Sequence, residues 1–238
     1  MSEWKARRFW KAADVAEQGN GYTVLLDGRE VKTPAKSPLI LPSRALALQI
    51  ASEWDAQDGV IDPLSMPHTR TANSAIDKVT PQHAEVADLL ADYGDSDLLC
   101  YRAESPTELV ERQQEAWDPM LDWAAQTLGA RLHPRAGVIH QSQDPEAVAV
   151  LTRRVRDLSA FELAAFHDLV SLTGSLVLGF AAFLDAAPIN RVWEISRIDE
   201  TWQQEQWGVD DDAMDVAGRK SVAFQHAKHF ADLTRAVS

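Results

Sequence analysis

Tyr22-Thr23-Val24-Leu25-Leu26-Asp27-Gly28-Arg29-Glu30-Val31-Lys32-Thr33 decides how this chain starts to fold. Two runs rich in β-branched and apolar residues flank Asp27-Gly28, the pair that a tight two-residue hairpin needs because both central positions take positive φ. Working outward, Arg8-Phe9-Trp10-Lys11 reads as the start of a preceding strand. Pro38-Leu39-Ile40-Leu41-Pro42 reads as a short further strand closed by prolines. From Ser43 the pattern changes period from two to about 3.6. Ser43 caps a helix to about Gln57 with Leu46, Ile50 and Trp54 as its apolar stripe.

Helix starts then recur. Thr80-Pro81 opens a helix to about Tyr93, and Ser105-Pro106-Thr107-Glu108 opens one carrying Leu109, Gln113, Trp117, Met120 and Trp123. Asp144-Pro145 and Ser159 open two more. Pro188 starts a helix that stops at Gly208, and Asp210 caps a last one whose first turn holds Asp211 and Asp212. Arg131 to His140 is a candidate extra strand. The expected fold is α+β: a small N-terminal β-rich module over residues 1–62, then a larger all-helical orthogonal bundle over residues 63–238.

The 238 residues carry a net charge of −13, with 36 acids against 23 Lys and Arg. Without a dense basic tract, a phosphate backbone or an anionic membrane surface would repel such a chain, so nucleic acid is not an expected partner. The apolar run Leu172 to Leu184 spans about 13 residues, short of the roughly 20 that cross a bilayer, and is expected to be a buried core helix rather than a membrane insertion. Arg7 and Arg8 are not followed by an apolar leader segment, so no signal peptide is expected, and a transit peptide is expected to be either absent or already removed. Cys100 is the single cysteine, sits among apolar residues and reads as a buried thiol.

No phosphate-cradling glycine motif and no nucleophile elbow occurs, so no cofactor is expected. Gly174-Ser175 is read as a pair of small residues that lets helices pack closely. His226 and His229 share a helical spacing, but no third ligand accompanies them, and no metal is expected. The most information-dense segment is Ile198-Asp199-Glu200-Thr201-Trp202-Gln203-Gln204-Glu205-Gln206-Trp207-Gly208. Trp193, Arg197, Glu200, Gln204 and Trp207 recur at spacings of three and four, along one side of a single helix. Asp199 and Glu200 splay about 100° apart and cannot address one atom together. Asp199 is expected to face inward or to cap a local network. Glu200 is either paired, with Arg197 as its candidate, or waiting for a partner's cation. Eight tryptophans against seven phenylalanines favour anchoring roles, since indoles bury large area and keep one polar handle.

Taken together, these residues are similar to a known family. Arg8-Phe9-Trp10-Lys11, Leu26-Asp27-Gly28-Arg29, Leu41-Pro42-Ser43, Glu53-Trp54-Asp55-Ala56-Gln57, Met66-Pro67 and Ala75-Ile76-Asp77 come in order. Asp97-Leu98-Leu99-Cys100-Tyr101-Arg102, Gln113, Trp117-Asp118-Pro119, Gly174-Ser175, Asp199-Glu200, Gln204, Trp207-Gly208 and Asp211 follow. The ordered set resembles the assembly chaperones of the alpha subunit of the F-type ATP synthase catalytic head. His68 and Thr71 stand where that pattern has aliphatic residues.

The resemblance implies a non-enzymatic protein that binds the free alpha subunit, covers its subunit interface, and yields it to the beta subunit. It implies a small N-terminal domain with a larger helical one, an essential acid at Glu200 and a critical indole at Trp54. The edge expected to meet the partner is Glu200, Gln204, Trp207 and Asp211, with Trp54, Asp55, Gln57, Trp117 and Asp199 supporting the fold. Trp54→Ala is expected to cost about 3–5 kcal/mol. The free protein is expected to be a monomer in a bacterial cytoplasm, or in a mitochondrial matrix if processed. The competing class is a small-molecule enzyme using Glu200 as acid or base in a bundle cleft, which needs a pocket with converging polar groups.

Overall fold

The computed structural model describes residues 7–236; Met1 to Ala6, which carry part of the leader reading, and the last two residues lie outside the described residues. The chain divides into two compact units. The first takes residues up to Gln82 together with Ser159–Ala165 and His229–Ser238, and the second takes His83–Leu158 and Phe166–Lys228.

In the first unit, strands β1 (Ala13–Gln18), β2 (Gly21–Leu26) and β3 (Arg29–Glu30) form an antiparallel sheet in that order, with Val15 opposite Val24. Asp27 and Gly28 take φ of 48° and 78°, the hairpin geometry expected of them. The first strand starts later than expected. Arg8 to Lys11 is not a strand: Arg8 N donates to the Gly59 carbonyl at 2.8 Å, and past it side chains rather than a ladder hold the backbone. Asp27 Oδ1 accepts from Lys11 N and Ala12 N, both at 3.0 Å, and those two backbone donors, Ala12 first, hold its carboxyl below the usual carboxylate range. Arg8 in turn reaches the carbonyls of Asp55 and Gln57 and the Asp55 carboxylate. The Pro38 to Pro42 segment makes isolated bridges only, Lys32 to Pro38 and Tyr22 to Leu41, since proline cannot donate to a ladder.

Helix α1 (Arg44–Asp55) starts on the Ser43 cap, whose hydroxyl accepts from Leu46 N at 3.0 Å, and buries Leu46, Ala47, Ile50 and Ala51. The Ser43 hydroxyl also donates to the Leu233 carbonyl. Helix α2 (Pro67–Ser74) runs into a π-helical turn over Ala75–Val79. Thr80 is not a cap; its hydroxyl donates to the Ala75 carbonyl, and α3 (His83–Ala91) begins only after a 3-10 turn over Thr80–Gln82.

The second unit is built on α3, α4 (Thr107–Trp123), α5 (Pro145–Arg156), α7 (Leu176–Phe183), α8 (Ile189–Ser196) and α9 (Ile198–Trp207), with most of α6 (Ala160–Thr173) and α10 (Asp211–Arg235). The expected single core helix over Leu172 to Leu184 is two helices: Gly174 takes φ 71° and turns the chain between α6 and α7. Every residue of α7 is buried. A Cβ on Gly179 would lie 2.6 Å from Val170 Cγ2, so this glycine permits the close approach of α6 and α7. The candidate extra strand shrinks to β5 (Arg135–Ala136), paired in parallel with β4 (Tyr101–Arg102). That two-residue pair is the departure from an all-helical second part. Among the described residues no helix is long and apolar enough to cross a membrane.

Candidate functional site

The helix expected from Pro188 to Gly208 is broken at Arg197, whose φ of −110° and ψ of 13° separate α8 from α9. Helix α4 explains the break. Trp117, fully buried, donates its indole N–H to the Ile195 carbonyl at 2.9 Å, two residues before Arg197. One turn away on α4, Gln113 is 1% exposed and donates to Asp199 Oδ1 at 2.6 Å, two residues after it. Gln113 Oε1 accepts from Ala103 N at 2.8 Å, so its amide is satisfied at both ends. The two α4 side chains thus grip both sides of the elbow, Trp117 satisfying the Ile195 carbonyl that the break leaves and Gln113 holding the Asp199 carboxylate.

Asp199 faces inward onto Gln113, as its sequence position suggested. Glu200 points elsewhere. Its carboxylate pairs with Arg197 Nη1 at 2.7 Å, and its side chain is 45% exposed. Arg197 also lies over the Trp193 ring at 5.4 Å, so Trp193, Arg197 and Glu200 stay linked although they do not share one helix. Gln204 is half-buried and Trp207, the last residue of α9, is 80% exposed; Asp211 is exposed at the start of α10, beyond the Gly208 turn. Glu200, Gln204 and Trp207 therefore share one edge of α9, and Asp211 belongs to the next element. On α9 itself, Trp202 and Glu205 meet Arg112 of α4, with the guanidinium 5.0 Å from the Trp202 ring and 2.8 Å from the Glu205 carboxylate.

A cleft of about 420 Å3 lies between α4, α8 and α9, with Arg112, Arg191, Trp193, Arg197 and Thr201 among its walls. Glu200 is not one of them, so the cleft and the acid that an enzyme reading needs do not coincide. Among the described residues no group of three or more His, Cys, Asp and Glu side chains is placed to hold a metal ion.

Deeper in the second unit, Asp97 is fully buried. It accepts from the Ser175 hydroxyl at 2.7 Å and from Leu99 N and Val177 N at 3.0 Å, joining the two motifs Asp97 to Arg102 and Gly174-Ser175. Burial pushes its carboxyl up to about 6 against those bonds. Cys100 is buried, and burial pushes its thiol up to about 12, which leaves it an inert thiol rather than a nucleophile. Arg102 lies over Trp117 at 5.2 Å and bonds Asp118 at 2.7 Å, so the Trp117-Asp118-Pro119 motif is a scaffold contact.

Around the Trp54 motif of the first unit, the neighbour Glu53 carries the geometry. Glu53 is 7% exposed, and its carboxylate accepts four hydrogen bonds: from His68 N and Nδ1 at 2.7 and 2.8 Å, and from Thr69 N and Oγ1 at 2.8 and 2.7 Å. Helix α2 has no side-chain cap from its own N-cap residue, and Glu53 supplies one from α1. Desolvation raises its carboxyl, but the bonds from His68 and Thr69 outweigh it and leave the group below its ordinary value. His68 Nε2 continues the chain to His229 Nδ1 at 3.1 Å. The sequence reading missed Glu53 and this pairing; the one signal was His68 standing at an expected aliphatic position.

Gln57 is buried, donating to the Glu53 carbonyl and to Ser65 Oγ while accepting from Asp62 N. Asp55 is exposed and paired with Arg8 at 3.0 Å. Trp54 is half-buried, edge-on to Trp10 at a centroid distance of 5.3 Å.

The comparisons with known proteins agree. The family model described as the ATP12 chaperone protein matches residues 7–125, half of the chain. The crystal structure of Atp12 from Paracoccus denitrificans superposes with a TM-score of 0.95 at 49% identity, covering 98% of this chain and 100% of that one. A solved structure from Agrobacterium tumefaciens gives a TM-score of 0.90 at 40% identity, covering 95% of this chain and 85% of that one. The mitochondrial protein atp12 of Schizosaccharomyces pombe is 28% identical over 223 residues, 88% of this chain and 76% of that protein. With the N-terminal sheet, the helical second unit and the ordered motifs in place, the chain belongs to the ATP12 family of ATP synthase assembly chaperones.

Proposed function

We propose that this protein binds the unassembled alpha subunit of the ATP synthase catalytic head, covers the surface that the beta subunit later occupies, and is displaced by it without catalysing a reaction. The observation that carries the reading is the α9 edge. An acid, an amide and an 80%-exposed indole stand side by side on a helix whose opposite side is fastened to α4. An exposed tryptophan beside a charged group suits a protein partner, where indole burial anchors and charge selects. Free alpha would otherwise expose an apolar interface and aggregate. The reading places the protein where ATP synthase is built, in a bacterial cytoplasm or a mitochondrial matrix.

Native mass spectrometry tests it. Mixing with purified alpha is expected to give a stoichiometric complex that Trp207→Ala weakens, and adding beta is expected to release the chaperone. A ternary complex that persists after beta is added would refute displacement. Absence of any alpha complex would refute the reading itself.

A further inference from the structure

Beyond the Glu200 edge, the first half of α10 presents another surface that is exposed among the described residues. Asp211 to Lys220 is exposed at every position but Ala217. Met214, Gly218 and Val222 recur four apart and so share one face. With Asp215 and Arg219 they line an open groove of about 490 Å3. Met214 is 52% and Val222 68% exposed, and the segment just before the helix adds Val209 at 61%.

The residue at the middle of the groove is the informative one. Glycine is the poorest helix former after proline. Yet Gly218 lies inside a 25-residue helix without positive φ, and a Cβ there would meet nothing within 4 Å. Neither backbone conformation nor packing within the described residues asks for a glycine. A bare backbone at the floor of an exposed apolar groove is what close approach by another helix requires.

The charges point to the kind of helix. Asp210, Asp211, Asp212 and Asp215 stand against Arg219 and Lys220, in a chain of net charge −13. A second copy would bring two net-negative faces together, whereas a basic partner is attracted. We infer that the Met214–Gly218–Val222 groove receives an amphipathic helix of the client, its apolar stripe seated over Gly218 and its Lys or Arg residues beside the α10 acids. This rests on the client reading above and adds the surface and the chemistry of the segment that it holds.

Gly218→Ala, Gly218→Leu and the surface pair Met214→Ser with Val222→Ser test it, against two probes: purified alpha subunit and a short helical Lys/Leu amphipathic peptide. Gly218→Ala is expected to raise the melting temperature by about 2–4 °C. Gly218→Leu and the serine pair are expected to keep the wild-type far-UV spectrum while weakening both probes by about tenfold or more. A Glu/Leu peptide of the same length should not bind. If the peptide binds and Gly218→Leu releases it while wild type never captures alpha, the groove stands and the client reading falls. Wild-type affinity for both probes in Gly218→Leu and the serine pair overturns the inference. A concentration-dependent dimer that Gly218→Leu dissolves also overturns it, in favour of a second copy.

Discussion

Glu53→Gln offers a test of how the first unit is held. The substitution keeps the volume and replaces one carboxylate oxygen by an amide that can only donate. Whichever way the amide turns, one of the backbone N–H groups of His68 and Thr69, now bonded at 2.7 and 2.8 Å, faces a donor. A buried donor without an acceptor costs about 1–3 kcal/mol. Losing the negative charge at the start of α2 removes about 0.3–1 kcal/mol more. The His68 ring loses a charged acceptor as well, at about 1 kcal/mol more, so the expected total is about 2–5 kcal/mol.

Urea unfolding at pH 7.5 followed by far-UV circular dichroism measures it. The sign of the pH effect adds a second readout. The folded carboxyl sits below its unfolded value of 4.5, so the unfolded chain binds more protons as the solution is acidified. Its contribution is therefore present above 4.5 and lost as pH falls through the folded value. Glu53→Gln should flatten that limb. A loss under about 1 kcal/mol at pH 7.5, or an unchanged acid limb, would refute the account of Glu53 as the cap of α2.

Asp97 should show the opposite pH trend. Its folded carboxyl at about 6 lies above the ordinary 3.8, so its contribution is fullest below 3.8 and lost as pH rises through 6. The wild-type-minus-variant stability difference for Asp97→Asn, measured from pH 4 to 7.5, should follow that curve; a flat difference argues against it. Glu200→Lys is expected to abolish alpha binding with a melting temperature within about 2–3 °C of wild type, since its Arg197 pair is half-exposed. An unfolded variant would make Glu200 a structural pin instead. Trp54→Ala is expected to cost about 2–3 kcal/mol in urea unfolding, less than full burial would imply, because the ring is half-buried and its N–H has no partner among the described residues. A cost above that of Glu53→Gln would reverse the ranking of these neighbours.

What was legible in the sequence was local. The Asp27-Gly28 turn and the caps at Ser43, Asp144 and Asp210 are each satisfied within a few residues, so their chemistry is written where it acts. The break at Arg197 was not legible, because distant groups hold it, Trp117 and Gln113 of α4. The break at Gly174 was masked by the apolar run around it, although its signals are local: a glycine at φ 71° and the Ser175 hydroxyl accepting from Leu178 N. At the site, the opposed directions of Asp199 and Glu200 followed from 100° per residue, whereas the identity of Gln113 as the inward partner did not. Glu53 was hidden for the same reason, since its donors begin 15 residues later and in another helix. Its neighbour Trp54 drew attention by size.

The bond from Ser43 to Leu233 spans 190 residues and that between His68 and His229 spans 161. A ribosome delivers the two ends of these bonds far apart in time, so the N-terminal sheet and α1 emerge without the groups that complete them. Vectorial synthesis can therefore fold the second unit's interior helices before the first unit is finished. A premature stop that removes the end of α10 would damage a sheet-and-helix unit made well before it, leaving Ser43 without the Leu233 carbonyl and His68 without the His229 ring.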